Sequence, residues 1–194
     1  CATAGEEFRM ADWGADVYLT ASQKAIGLPA GLALWVVSER AMKVRETLRM
    51  PPPLSLDWQA WLPVMRAYEE GRPSYFSTPA TTLIKALDVG LAEILDTAQD
   101  PVQAMEFRFE RHSRVAMAMR DAFETLGLSF VPLPGLEANT LSAIRYPEGV
   151  DASMLGGVAS RGVIIAGGLH PAIKGEYFRV GHMGVVTNQV GDLA

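Results

Sequence analysis

A lysine set in a loop of small residues, Ala21-Ser22-Gln23-Lys24-Ala25-Ile26-Gly27-Leu28-Pro29-Ala30, stands out as a group that could do chemistry. Two apolar runs flank the loop, so the Lys24 amine is expected to be partly desolvated. Burial disfavours the charged form of an amine and makes it a competent Schiff-base former. The competing reading is a loop lysine that reaches solvent. Arg179 is the second candidate: its planar fork suits a carboxylate, and Gly181 two residues on lets backbone approach a ligand closely. An arginine at a strand end is, however, more often a surface ion-pair former. His112, His170 and His182 are too scattered to form a helical metal pair, and His182 reads as a packing or supporting residue outside the catalytic set. Cys1 offers a weaker route, as a chain-terminal nucleophile with its own amine as base. As the single cysteine, it excludes an internal disulfide framework and a multi-cysteine zinc site.

The elements that must position these groups follow from pattern. Residues 16–20 and 31–38 read as strands, and their continuous apolarity suggests a sheet covered on both faces, with Lys24 between two buried strands. Ser38 is an N-cap for a helix running through Arg49, which Pro51-Pro52-Pro53 ends. Trp58, Trp61 and Met65 have helical spacing within 54–68, and their expected role is packing. The turn-rich loop 71–79 leads into an amphipathic helix over 80–99 with Leu83, Leu87, Leu91 and Ile94 or Leu95 on one face. A long helix over 100–126 puts Met105, Phe109, Val115 or Ala116, Met119 and Phe123 on a stripe and stops at Gly127. Residues 128–133, 140–146, 163–166 and 177–180 read as strands and 152–160 as a helix, a small α+β layer.

The chain has 194 residues, a formal net charge of -5 and 49% hydrophobic residues. That composition argues for an acidic globule that neither coats nucleic acid nor remains disordered. No apolar run is long enough to span a bilayer, since even residues 28–37 are followed at once by Ser38-Glu39-Arg40. The cysteine usage fits a reducing, peroxisomal or cytoplasmic setting. A start at Cys1 and a polar close at Gly191-Asp192-Leu193-Ala194 suggest a piece of a longer protein.

Ser22-Gln23-Lys24-Ala25, followed by a Gly/Pro turn and an apolar strand, resembles the cofactor-lysine segment of class V, fold-type I pyridoxal-phosphate aminotransferases of the alanine/serine–glyoxylate type. Tyr75-Phe76-Ser77-Thr78-Pro79 is similar to that family's loop that reaches into a neighbouring subunit's site. Phe178-Arg179-Val180-Gly181-His182-Met183-Gly184 is similar to its substrate-carboxylate strand. The three segments occur in the family's order. The resemblance implies an α/β fold: residues 1–99 as the end of the large cofactor-binding domain, with the Lys24 loop and the interface loop 71–79, and residues 100–194 as a small carboxy-terminal α+β domain lacking its final helix.

It also implies roles. Lys24 would hold pyridoxal 5'-phosphate and, once released, shuttle the proton at the substrate Cα; Gln23 would bind the cofactor phosphate; Tyr75 and Thr78 would reach a phosphate across a homodimer interface; Arg179 would bind the substrate carboxylate. The substrates would be small amino acids and keto acids, with alanine or serine as donor and glyoxylate as acceptor. For Tyr75 the alternative is an ordinary buried aromatic. Ala21 departs from the glycine that relatives usually carry there. The family's phosphate loop, ring-stacking aromatic and pyridine-pairing aspartate would all precede this chain. The alternative function is therefore a non-catalytic fragment that serves only as a folded or oligomerisation body.

Overall fold

Residues 17–37 fold back on themselves around the Lys24 loop. In the computed structural model, which describes residues 3–187, β1 (Val17–Ala21) pairs antiparallel with β2 (Ala33–Val37), from Val17 opposite Val37 to Ala21 opposite Ala33. Cys1 and the closing residues 191–194, on which the nucleophile and fragment readings rest, lie outside the described residues. The pairing corrects the expectation of two strands covered on both faces. β1 and β2 form a two-stranded ribbon on which Leu19, Trp35 and Val36 stay exposed. Among the described residues no further strand pairs with either edge, and aromatic rings lie against the ribbon. Phe8 packs on Tyr18 at 4.8 Å between centroids, and Trp35 on Trp58 at 6.2 Å.

Ser38 begins α1 (Glu39–Thr47) as expected: its Oγ accepts from the Ala41 N–H at 3.1 Å and donates to Asp16 Oδ1 at 2.6 Å, so one hydroxyl caps the helix and ties it to the ribbon. The helix stops two residues short of Arg49 because Leu48 is already extended ahead of the three prolines. Asp57 caps α2 (Trp58–Glu69) and takes a two-pronged contact from Arg45, Nε at 3.1 Å and Nη2 at 2.7 Å, joining α1 to α2. The packed face of α2 is Val64 and Ala67, whereas Met65 is exposed, contrary to the packing role its spacing suggested.

α3 (Thr81–Leu95) ends four residues before the expected Gln99, and its inward stripe runs through Leu83, Leu87, Gly90 and Ile94 rather than Leu91 or Leu95. Gly90 is what permits this close seat, since a Cβ there would lie 2.7 Å from Leu28 Cδ2. α4 (Pro101–Thr125) lies one residue inside the expected span at each end. Asp100 accepts from the Val102 N–H, Pro101 opens the helix, and Gly127 at φ +77° closes it with paired bonds, Gly127 N–H to Glu124 O and Leu128 N–H to Phe123 O. Its buried face differs from the expected stripe. Ala104, Arg108, His112, Val115 and Ala116 are buried, while Met105, Phe109, Met119 and Phe123 are only half-buried.

The second sheet is antiparallel in the order β3 (Leu141–Arg145), β5 (Tyr177–Gly181), β4 (Ala166–Gly167), with α5 (Met154–Ala159) between β3 and β4 in sequence. Two expected strands shrink. Residues 128–133 contribute one bridge, Phe130 opposite Ile144, before Pro132 removes a donor. In 163–166 only Ala166 joins the sheet, opposite Arg179. Ile144 and Phe178 bury the inner face of this sheet.

Candidate functional site

The Lys24 turn is held by its smallest polar neighbour. Ser22, fully buried, donates from Oγ to Pro29 O at 2.6 Å and accepts from the Leu32 N–H at 3.3 Å, while its own backbone bonds Leu32 and Leu28. Inside the staple the chain makes two tight turns, Lys24 N–H to Ala21 O at 3.1 Å and Gly27 N–H to Lys24 O at 2.9 Å. Ala25 and Ile26 are buried, Lys24 is half-buried and Gln23 is exposed. The backbone that carries the amine is therefore fixed on both sides, and the Lys24 and Gln23 side chains remain free to take a ligand.

Two glycines dock this turn on the segment after β5. Gly27 and Gly184 both have positive φ, +85° and +72°. A Cβ on Gly27 would lie 2.9 Å from Val185 N, and one on Gly184 would lie 3.0 Å from Gly27 Cα and 3.2 Å from Lys24 O. Only backbone fits between them. The lysine turn thus touches the continuation of the strand that carries Arg179.

α4 grips both partners. Arg108, 5% exposed, donates from Nη2 to Ala25 O, next to Lys24, and from Nε to Ala4 O at 3.2 Å. Burial, with Arg111 nearby, pulls its guanidinium down to about 10. One turn on, His112 is wholly buried; its Nδ1 bonds Arg108 O at 2.9 Å and its Nε2 accepts the Gly184 N–H at 3.2 Å. Those two bonds require the neutral ring with its proton on Nδ1. Burial lowers the His112 pKa and favours that form. Neither Arg108 nor His112 was singled out from sequence for this role; the available signal was a polar pair four residues apart on a helix.

Arg179 sits in mid-strand rather than at a strand end, paired with Ala143 on one side and Ala166 on the other. Its Nε donates to Gly167 O at 2.7 Å, which aims the stem and leaves the two terminal nitrogens for a carboxylate. The Gly167 loop is braced by Tyr177, whose buried hydroxyl accepts from the Leu169 N–H at 2.9 Å and the His170 N–H at 3.2 Å. His182 is buried against Ser142, Nε2 to Oγ at 3.0 Å.

Tyr75 is 73% exposed, which rules out the buried-aromatic reading. Its hydroxyl bonds Thr78 Oγ1 at 2.9 Å, so the two residues form one exposed pair. The loop is anchored behind them by Phe76 on Trp61, edge to face at 5.1 Å, and by the Tyr68 hydroxyl on Ser74 O at 2.7 Å. Within this chain the pair faces outward; the Lys24 turn and the Arg179 segment are the parts brought together.

The donor set suits pyridoxal phosphate. The Lys24 amine, the neighbouring Gln23 amide and the Arg179 fork are of the types that an aldehyde, a phosphate and a substrate carboxylate would take, while the Tyr75–Thr78 pair lies apart from them within this chain. Among the described residues no group of three or more His, Cys, Asp or Glu could hold a metal ion, and no helix is long and apolar enough to cross a membrane.

No family profile matches the chain. It is 35% identical to alanine–glyoxylate aminotransferase 1 of Saccharomyces cerevisiae, over 96% of this chain and 48% of that protein. It is 34% identical to L-aspartate–glyoxylate aminotransferase of Paracoccus denitrificans, over 94% of this chain and 43% of that protein. Among solved structures, pyridoxamine–pyruvate aminotransferase of Mesorhizobium loti aligns with 31% identity and a TM-score of 0.80, over 95% of this chain and 45% of that one. Alanine–glyoxylate aminotransferase of Nostoc sp. shares the fold at 24% identity and a TM-score of 0.81. The chain spans about half the length of the relatives it matches. The expected α/β aminotransferase fold is borne out.

Proposed function

We propose that this chain, a homologue of the glyoxylate aminotransferases over about half their length, is the lysine-bearing part of a pyridoxal-phosphate transaminase that moves the amino group of alanine or serine to glyoxylate. The observation that carries this is the Lys24 turn: a half-buried lysine on a backbone fixed by Ser22 and Arg108 and seated against the Arg179 segment.

The cofactor, when bound, supplies an aldehyde for the amine and an electron sink for the bond broken at the substrate Cα. Lys24 would hold it through Nζ and, once the substrate amine has displaced that nitrogen, the freed amine would take and return the proton at that Cα. Gln23, exposed beside it, donates its amide to the phosphate. Arg179 would clamp the substrate carboxylate with a fork whose direction Gly167 O sets. In a homodimer, the loop of one subunit presents Tyr75 and Thr78 to the phosphate of the other, which accounts for a hydroxyl pair so exposed within a single chain.

The complete protein, mixed with pyridoxal phosphate, is expected to develop the absorption band of a lysine Schiff base, and Lys24→Ala should abolish it. Persistence of the band in the variant would sink the assignment. A second reading, a non-catalytic body, draws on the open faces of the β1–β2 ribbon that carries the lysine. Titrating the 194-residue chain alone with the cofactor separates the two: tight stoichiometric binding with turnover removes the second reading.

A further inference from the structure

Arg108 and His112 lie one turn apart on the buried face of α4, and each reaches across to a different part of the site. Arg108 holds the carbonyl of Ala25, adjacent to Lys24; His112 holds the amide of Gly184, five residues beyond Arg179. The His112 Nδ1 bond to Arg108 O links the two grips. No carboxylate among the described residues forms an ion pair with Arg108, so this buried cation is compensated by carbonyls alone. Such a group is costly to bury, and only its hydrogen bonds offset that cost. A leucine or methionine would fill an ordinary core position with less penalty, so the polar pair has a use beyond filling space.

We propose that Arg108 and His112 are positioning residues: a buried strut from α4 that sets where the Lys24 turn stands relative to the strand carrying Arg179. Neither touches substrate or cofactor. The strut acts at the contact where Gly27 and Gly184 meet backbone to backbone, with the Val185 side chain alongside Gly27. Loss of the His112 bond frees the Gly184 amide, and the Lys24 turn, which rests on Gly184, loosens with it. The catalytic meaning of the strut rests on the transaminase reading; the mechanical coupling does not.

Two measurements on the complete protein test this. Asn at position 112 is too short to reach Gly184, whereas Gln can place an acceptor where Nε2 now lies. In amide hydrogen exchange without cofactor, His112→Asn should speed exchange of Gly184 and of residues 24–27 together, by about tenfold, and His112→Gln should restore both. In the cofactor-loaded protein, kcat per bound cofactor should fall about tenfold or more in His112→Asn and recover in His112→Gln, with the KM for the amino acid changed far less. Arg108→Lys, which offers a compact ammonium in place of a fork, should reproduce the exchange pattern at residues 24–27 and serves where Arg108→Met fails to fold. Faster exchange at Gly184 with no change at 24–27 overturns the strut, whatever the protein catalyses. Normal coupling in exchange, with no transamination by the wild type, overturns the functional reading and leaves the strut standing.

Discussion

Gly27 and Gly184 meet backbone to backbone: a Cβ added to Gly184 would lie 3.0 Å from Gly27 Cα, and the φ of Gly184 is +72°. Alanine at 184 therefore meets two obstacles, a left-handed backbone and a neighbour that is main chain and cannot rotate away. Gly71 is the control, with a similar φ of +69° and nothing within 4 Å of its would-be Cβ. Gly71→Ala should cost about 1–2 kcal/mol from conformation alone, and Gly184→Ala a further ~1–3 kcal/mol from overpacking. Denaturant titration of both variants checks the difference. Equal losses would show that the contact does not constrain the lysine turn.

Asp16 ties the ribbon to α1. The Arg40 guanidinium and the Ser38 hydroxyl bond its carboxylate and hold its pKa down at about 2. The folded pKa lies below the ordinary value, so the unfolded chain takes up the proton first. The stabilisation is complete above about pH 4, the unfolded value, and is lost as pH falls through about 2. Thermal melts from pH 6 to pH 2 should show a constant gap between wild type and Asp16→Asn at the upper end, narrowing in acid. Both partners are substantially exposed, so added salt should narrow the gap as well.

What could be read from sequence tracks what is local. Ser38 and Gly127 announced helix ends because caps act within one turn. Lys24 and Arg179 are singled out by the resemblance of the segments around them to a known family, since their chemistry alone equally allows a loop lysine reaching solvent and a surface ion-pair arginine. The buried face of α4 could not, because apolar periodicity favours Met105 and Phe109, while the packed positions include Arg108 and His112. Their burial depends on Ala4, Ala25 and Gly184, which come from distant parts of the chain. Leu19 and Trp35 misled for a related reason: an apolar run signals a strand meant to be covered but does not say by what.

The exposed pair of Tyr75 and Thr78 makes a prediction that separates stability from binding. Their mutual hydrogen bond is solvent-accessible, so Tyr75→Phe and Thr78→Val should each change folding stability by less than about 0.5 kcal/mol. In the complete protein the same variants should weaken pyridoxal-phosphate binding by about tenfold, the loss of one hydrogen bond to a charged group. Equilibrium dialysis of the cofactor, set beside denaturant titration, measures both. Unchanged cofactor affinity in both variants would remove the loop from the phosphate site.

Arg179→Lys tests the substrate fork. The Nε bond to Gly167 O aims the guanidinium, and a lysine keeps the charge but loses both that bond and the two-pronged grip on a carboxylate. The KM for the amino acid should rise about tenfold or more, the scale of one charge-assisted hydrogen bond. The Schiff-base band proposed for Lys24 should persist, since the proposed cofactor contacts are made by other residues. Glyoxylate supplies the sharper measurement. It has a carboxylate and almost nothing else to grip, so its KM should suffer at least as much as that of alanine or serine. If the KM values of glyoxylate and the amino acid both stay at wild-type levels, Arg179 is a structural member of β5 and the carboxylate is bound elsewhere.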